Sequence, residues 1–241
     1  MLTIKNLSTV VGGRDLLTDI NLQINPGEIH AVLGPSGSGK STLAHSISGH
    51  PSIMQTEGSI FFKRKNITKL DSNIRANLGI HIAYQVAPEI IGLSNFELIK
   101  LILKSRNDDR SETDLERDYN VLVRMLELRS NHGELKIDYD EMTPTEFRKN
   151  EILMMLMINP QVAIIDEIDT DLNEEDLSII GAVLNSYSDE KNSLLVITHN
   201  RKLLDMIVPT HVHILVEGEI KEQGGAELYK RIIEDGYSQF S

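Results

Sequence analysis

The chain has no cysteine. A disulfide framework, a cysteine-ligated zinc and a thiolate-held iron-sulfur cluster are therefore excluded on this chain. Basic residues are scarce beside acidic ones: 24 Lys and Arg against 36 Asp and Glu leave a formal net charge of -12. Non-specific binding of a phosphate backbone needs the opposite balance on one face, so nucleic acid is not an expected partner. Long apolar runs are missing as well. The densest, Ile152 to Ile158, falls far short of the roughly 20 residues that span a bilayer. The opening "MLTIKNLSTVVGGRDLL" lacks the basic-then-apolar layout of a secretory signal and alternates like a strand. These absences predict a chain that begins at Met1, is cytoplasmic and makes no direct membrane insertion. No internal repeat or low-complexity stretch interrupts it.

What is present suits one domain with a large insertion: 241 residues, 40% of them apolar. Short β-rich stretches come first, "LTIKNL", "LTDINLQI", "EIHAVL" and "GSIFFKRK", and predict a small antiparallel sheet against a nucleotide core. From about Ser94 to Ile158 the pattern turns helical, with the charged "SRNDDRSETDLERD" read as solvated helix ends and loops. Then "QVAIIDE", "NSLLVITHN" and "HVHILVEGEI" follow as apolar runs of strand length between helix-like segments, the pattern of buried parallel strands. Glu217-Gly218 reads as a two-residue hairpin turn. The expected fold class is α/β. One domain spans 1-241, its core and antiparallel β subdomain formed by 1-92 and 159-241 and its helical subdomain by 93-158.

The strongest motif is "GPSGSGKST": Gly34, Pro35, Ser36, Gly37, Ser38, Gly39, Lys40, Ser41 and Thr42. It fits G-x-x-x-x-G-K-[ST], follows the apolar "IHAVL" and opens a helical pattern. Gly37 and Gly39 let backbone amides approach phosphates, and the helix N-terminus adds a favourable dipole. Lys40 would reach the β and γ phosphates of ATP, and Ser41 would ligate Mg²⁺. "VAIIDE" ends in Asp166 and Glu167 where an α/β strand delivers ligand groups. Alone that run would say little. Behind a phosphate loop, Asp166 becomes a Mg²⁺ contact through water and Glu167 the group that polarises the attacking water. His199, closing "LLVITH", would donate to the γ phosphate and orient Glu167. Gln85, after another strand, would sense metal and water and act as a hinge.

The order of these motifs resembles an ABC-type ATPase over the whole chain. Within that superfamily "AYQVAPEIIGLSN", "RKNEIL", "DEIDTDLN" and "IIEDGYSQF" resemble the SufC-type ATPases of the SUF iron-sulfur cluster assembly machinery. The resemblance implies an ABC ATPase fold, SufB-like and SufD-like scaffold partners, and an ATP-dependent homodimer or heterodimer with a second ABC ATPase. In such a pair each subunit caps its partner's ATP with a signature turn, which the family writes Ser-Gly-Gly-Gln/Glu. Here it reads Thr143-Pro144-Thr145-Glu146. Thr143 and Thr145 are the candidate contacts to the partner's nucleotide, but proline removes one amide and Thr145 adds a branched side chain. A weaker cap and slow turnover are expected.

The family's Ser-Gly-Leu-Asp after the catalytic glutamate appears as Thr170-Asp171-Leu172-Asn173, and Val10 and Val11 stand where the family stacks an aromatic on adenine. Groups acting on the chain's own ATP are thus intact, whereas those acting on the partner's are altered. The remaining alternatives are a nucleotide-binding subunit of an ABC membrane transporter and a non-hydrolysing clamp. His211 and His213 alternate on one strand face, yet no acid or third ligand is evident in sequence, so they read as ordinary strand residues. Met154, Met155 and Met157 read as core.

Overall fold

The structure, a computed structural model, describes residues 1-84, 90-137, 140-170 and 172-240. In chain order its elements begin with strands β1 (Leu2–Val11), β2 (Arg14–Ile24) and β3 (Ile29–Leu33), then α1 (Lys40–Ser48), β4 (Met54–Phe62), β5 (Lys65–Asn66), α2 (Ser72–Leu78) and β6 (Ile80–Ala83). The middle is helical: β7 (Ile90–Ser94), α3 (Asn95–Ser105), α4 (Glu112–Met125), β8 (Lys136–Ile137) and α5 (Pro144–Ile158). The last third alternates: β9 (Val162–Asp166), α6 (Glu174–Tyr187), β10 (Ser193–Ile197), α7 (Arg201–Ile207), β11 (His211–Val216), β12 (Glu219–Gly224) and α8 (Ala226–Asp235).

Three five-residue runs dictate the platform. β3, β9 and β10 are buried at every position, as strands covered on both faces must be. They lie side by side in a six-stranded sheet of order β12-β11-β3-β10-β9-β6, parallel except for β12. Alternate residues face opposite ways: Ala163, Ile165, Leu194 and Val196 join a cluster with the helices, and Val162, Ile164, Leu195 and Ile197 join one with α1 and the antiparallel sheet. Each Val, Leu or Ile among them contributes about 1.5–3 kcal/mol when fully buried, so the strand ends are a rigid mount for whatever projects from them. The second sheet, β2-β1-β4-β5, is antiparallel.

The hairpin between β11 and β12 turns at Glu217 (φ 48°) and Gly218 (φ 80°), both left-handed, as the Glu-Gly pair predicts. The charged stretch after α3 divides: its second half is the first turn of α4, where Ser111 caps the amide of Asp114 and Glu112 and Asp114 suit the helix dipole. Leu115, Tyr119 and Val123 of that helix are buried four residues apart. Met154, Met155 and Met157 lie in the large core cluster.

Candidate nucleotide site

The phosphate loop links the buried β3 to α1. At Gly34 a Cβ would sit 1.9 Å from the Leu215 carbonyl oxygen, so only glycine lets the loop leave the sheet there. Gly37 has φ +78°, a conformation that favours glycine, and a Cβ on it would meet nothing within 4 Å. The loop is braced by Ser38 N donating to Pro35 O (3.2 Å) and by Gly218 N donating to Ser38 O (3.0 Å), so the hairpin turn buttresses it. Ser38 Oγ is buried and has no hydrogen-bond partner among the described residues. Lys40 opens α1 behind Gly39, and its ammonium donates to the carbonyls of Gly34 (3.0 Å) and Pro35 (2.9 Å). Burial pushes the Lys40 pKa down, against the pull of Glu167 and Asp166. Ser36 lies exposed on the loop's outer side, and Thr42 sits one residue past Ser41 on α1.

Across from it, β9 delivers its last residue, Asp166, to the same edge: Ser41 Oγ donates to Asp166 Oδ1 at 3.1 Å. Asp166 is 2% exposed. Burial raises its pKa to about 6, with the Ser41 hydrogen bond opposing and Glu167 adding to the rise. Glu167 follows with φ 49°, a conformation rare outside glycine, and its amide donates to Ile197 O at 2.9 Å. That backbone twist ends the strand and turns the carboxylate toward β10, where His199 Nε2 lies 3.1 Å from Glu167 Oε1. Lys40, Ser41, Asp166, Glu167 and His199 thus converge. Gln85 lies outside the described residues, as does Asp171.

Thr143 and Thr145 stand at the N-terminus of α5, with Pro144 in its first turn. Thr143 is tied into a capping box: Glu146 N donates to Thr143 Oγ1 (3.2 Å), while Thr143 N (2.9 Å) and Oγ1 (3.0 Å) donate to Glu146 Oε2. Arg129 Nη2 donates to the same carboxylate at 2.9 Å. Burial and these hydrogen bonds act in opposite directions on Glu146, and the hydrogen bonds prevail, lowering its pKa. Asn173, the amide in place of a carboxylate, caps α6 by accepting from Asp176 N at 2.9 Å.

Several contributors were not visible in sequence. Asp169, two residues past Glu167, is raised by burial and accepts a hydrogen bond from Thr198. Tyr237 brings its phenol oxygen to the Gly34 amide. Glu151 of α5 accepts from Tyr84 N at 3.2 Å, one residue before Gln85. A buried pair, Lys149 Nζ to Asp176 Oδ1 at 2.6 Å, joins α5 to α6. None of these has a sequence signature, because each depends on elements far apart in the chain. The plain-strand reading of His211 and His213 also needs correction: β3 and the turn before it place His30 and Glu28 against them.

Among the described residues no helix is long and apolar enough to cross a membrane. The ABC transporter family matches residues 17–170. A "Probable ATP-dependent transporter ycf16" of Cyanophora paradoxa is 39% identical, covering 98% of this chain and 93% of its own. The "Iron-sulfur cluster assembly protein SufC" of Plasmodium falciparum is 34% identical, covering 100% of this chain and 71% of its own. A solved dimeric ATP-binding cassette in a post-hydrolysis state, bound to ADP and Pi, shares the fold with a TM-score of 0.82 at 22% identity, covering 94% of this chain and 99% of its own. The chain belongs to the ABC family of ATPases and within it resembles SufC.

Proposed function

We propose that the chain is a SufC-like ATPase that binds and hydrolyses Mg²⁺-ATP and drives conformational change in an iron-sulfur assembly scaffold made of SufB-like and SufD-like partners. The convergence of Lys40, Ser41, Asp166, Glu167 and His199 at one sheet edge carries the hydrolytic part. The scaffold role is supported by the likeness, along nearly all of this chain, to proteins named SufC, of whose own length it covers 71% and 64%. Amides of Gly34 to Thr42 and the α1 N-terminus would cradle the phosphates, with Lys40 exchanging its two carbonyl partners for phosphate oxygens. The Ser41 hydroxyl and Asp166 carboxylate are hard oxygen donors already in contact, which suits Mg²⁺. The metal would supply charge neutralisation between the β and γ phosphates. Glu167 orients and deprotonates water, and His199 holds the carboxylate; Gln85 remains the proposed sensor of metal and water. The segment 93-158 is the proposed helical subdomain, carrying Thr143 and Thr145 to the nucleotide of a partner subunit.

Slow turnover follows from the same reading. Losing a donor to developing phosphate charge costs about 2–4 kcal/mol by analogy with oxyanion sites. The Thr143 hydroxyl is in addition already engaged with Glu146. That engagement favours one alternative, a clamp that binds nucleotide without turnover. Steady-state Mg²⁺-ATP hydrolysis with Lys40→Ala as blank decides between them: turnover above the blank is expected, and a rate equal to it despite nucleotide binding supports the clamp. The transporter alternative, favoured by relatives named as ATP-dependent transporters, is tested by co-purification. Scaffold proteins are expected; an integral membrane protein would overturn the assignment.

A further inference from the structure

At the opposite end of the strands from the phosphate loop, about 13 Å along β3 from Gly34, three side chains from separate segments meet. Glu28 sits in the turn Asn25-Pro26-Gly27-Glu28, with Gly27 at φ +80° as a Pro-Gly turn requires. His30 is the second residue of β3, and His211, its register partner, begins β11. One ligand atom from each lies within 4.8 Å of the others. Glu28 Oε2 is 2.9 Å from His30 Nε2, and Glu28 Oε1 is 3.9 Å from His211 Nε2. We propose that Glu28, His30 and His211 form a binding site for a divalent transition metal of the zinc type.

The hydrogen bonds around the three side chains prepare them as ligands. Thr210 has one hydroxyl proton, which it can donate to Ile29 O at 2.9 Å. His211 Nδ1 lies 3.0 Å from the same hydroxyl oxygen, and which of the two donates depends on the imidazole tautomer. In the tautomer that donates from Nδ1 to Thr210, the lone pair lies on Nε2, the nitrogen facing the Glu28 carboxylate. In that tautomer a cation between lone pair and carboxylate relieves their repulsion, whereas an Nε2 proton would pair with the carboxylate directly. His30 Nδ1 meets His213 Nε2 at 2.8 Å, so His30 can donate there and free its Nε2 for the metal. This is the usual second contact of a metal-bound imidazole. Glu28 is oriented in turn by Asn25, whose N and Nδ2 donate to its two oxygens at 2.6 and 2.9 Å. Bonds of 2.0–2.1 Å in a tetrahedral site put ligand atoms about 3.3 Å apart; the three here lie within 4.8 Å of one another, and the His30 and His211 rings are stacked with centroids 4.5 Å apart and planes 12° apart, so one imidazole turns out of the stack when the set closes. His30 is fully buried, whereas the His211 side chain is 45% exposed, which leaves an entry path and a fourth position for water. Two imidazoles and one carboxylate suit zinc over Mg²⁺, which prefers an all-oxygen set.

The test is zinc titration of the full chain after chelator treatment, read by calorimetry and by the visible spectrum of Co²⁺ used in place of zinc. One equivalent bound, a tetrahedral cobalt spectrum unaffected by millimolar Mg²⁺, and a zinc-dependent rise in thermal midpoint are expected. His211→Ala, at the half-exposed position, should keep the fold and the ATPase rate yet weaken zinc binding at least tenfold and abolish the midpoint rise. Glu28→Gln should do the same. Zinc uptake unchanged in both variants, or no uptake by the parent chain, overturns the proposal.

Discussion

Two regions of this ATPase are built from the same kinds of residue to opposite effect. At the edge proposed to hold the chain's own nucleotide, polar groups are left in discomfort. Asp166 is buried with its pKa raised to about 6, Glu167 holds a left-handed backbone, and Ser38 Oγ has no partner among the described residues. At the two turns that would face a partner's nucleotide, polar groups satisfy one another. Thr143 and Glu146 close a capping box, Asn173 caps α6, and Lys149 pairs with Asp176 between the two helices. Unsatisfied groups held in place by a rigid sheet are what a charged ligand can relieve. A self-satisfied turn gives up its own bonds when it binds. The contrast explains why the first region is expected to bind tightly and the second to cap weakly.

The largest effect should come from breaking the first region. Glu167→Gln removes the base while keeping the shape, so hydrolysis should fall by about 10²–10⁴-fold while nucleotide binding persists; single-turnover kinetics and equilibrium binding measure the two separately. A loss of both together would place Glu167 in binding instead. For the second region the corresponding break is structural. Lys149→Met leaves the Asp176 carboxylate buried without its cation and should lower unfolding free energy by about 3–5 kcal/mol, read by denaturant titration. Adding Asp176→Leu should recover most of that loss. Recovery would show that the pair fixes the position of α5 against α6 more than it stabilises the fold.

Loosening the self-satisfied turn should sharpen the comparison in the other direction. Pro144→Gly with Thr145→Gly restores an amide and removes a branched side chain. Turnover should rise about 10- to 30-fold, the equivalent of part of one restored donor, with little change in affinity for the chain's own nucleotide. An unchanged rate would mean that the signature turn does not limit this enzyme. In the first region, Asp166→Asn should expose the discomfort directly. An acid whose folded pKa is raised keeps its proton in the folded chain while the unfolded chain loses it, so stability falls as pH rises between about 4 and 6 and stays lower above. The variant should therefore be more stable than the parent by roughly 3 kcal/mol at pH 7 and equal to it below about pH 4, while its hydrolysis collapses.

The first region was largely legible in sequence because its chemistry is local. Gly34 to Thr42 is contiguous, and Asp166, Glu167 and His199 each close an apolar run whose length alone announces a buried strand. Parallel neighbours then bring their C-terminal ends to one edge without further information. The capping box was half legible: Pro144 in the first turn of a surviving helix follows from its position, but the engagement of the Thr143 hydroxyl with Glu146 depends on side-chain geometry. Contacts that join distant segments had no signal. Asp176 on Lys149, the Tyr237 phenol on the phosphate loop, and Glu28 with His30 beside His211 are set by which strands and helices become neighbours. His211 and His213 looked partnerless because their partners are some 180 residues away in sequence.

The smallest prediction concerns Val10 and Val11, which stand where the family resemblance places an aromatic that stacks on adenine. Val10 and Val11 end β1 beside the left-handed Gly12-Gly13 turn, and both are half-buried and aliphatic. A flat ring there would stack on adenine, an interaction worth about 0.5–1.5 kcal/mol, whereas valine offers only edge contact. Val10→Tyr should therefore tighten ATP binding about two- to tenfold. It should improve ATP over GTP by a similar factor, since the phosphate contacts common to both nucleotides are untouched. Binding measured with both nucleotides separates the two contributions. Equal tightening of both would mean that the ring adds generic burial, and that the parent chain's selectivity comes from elsewhere.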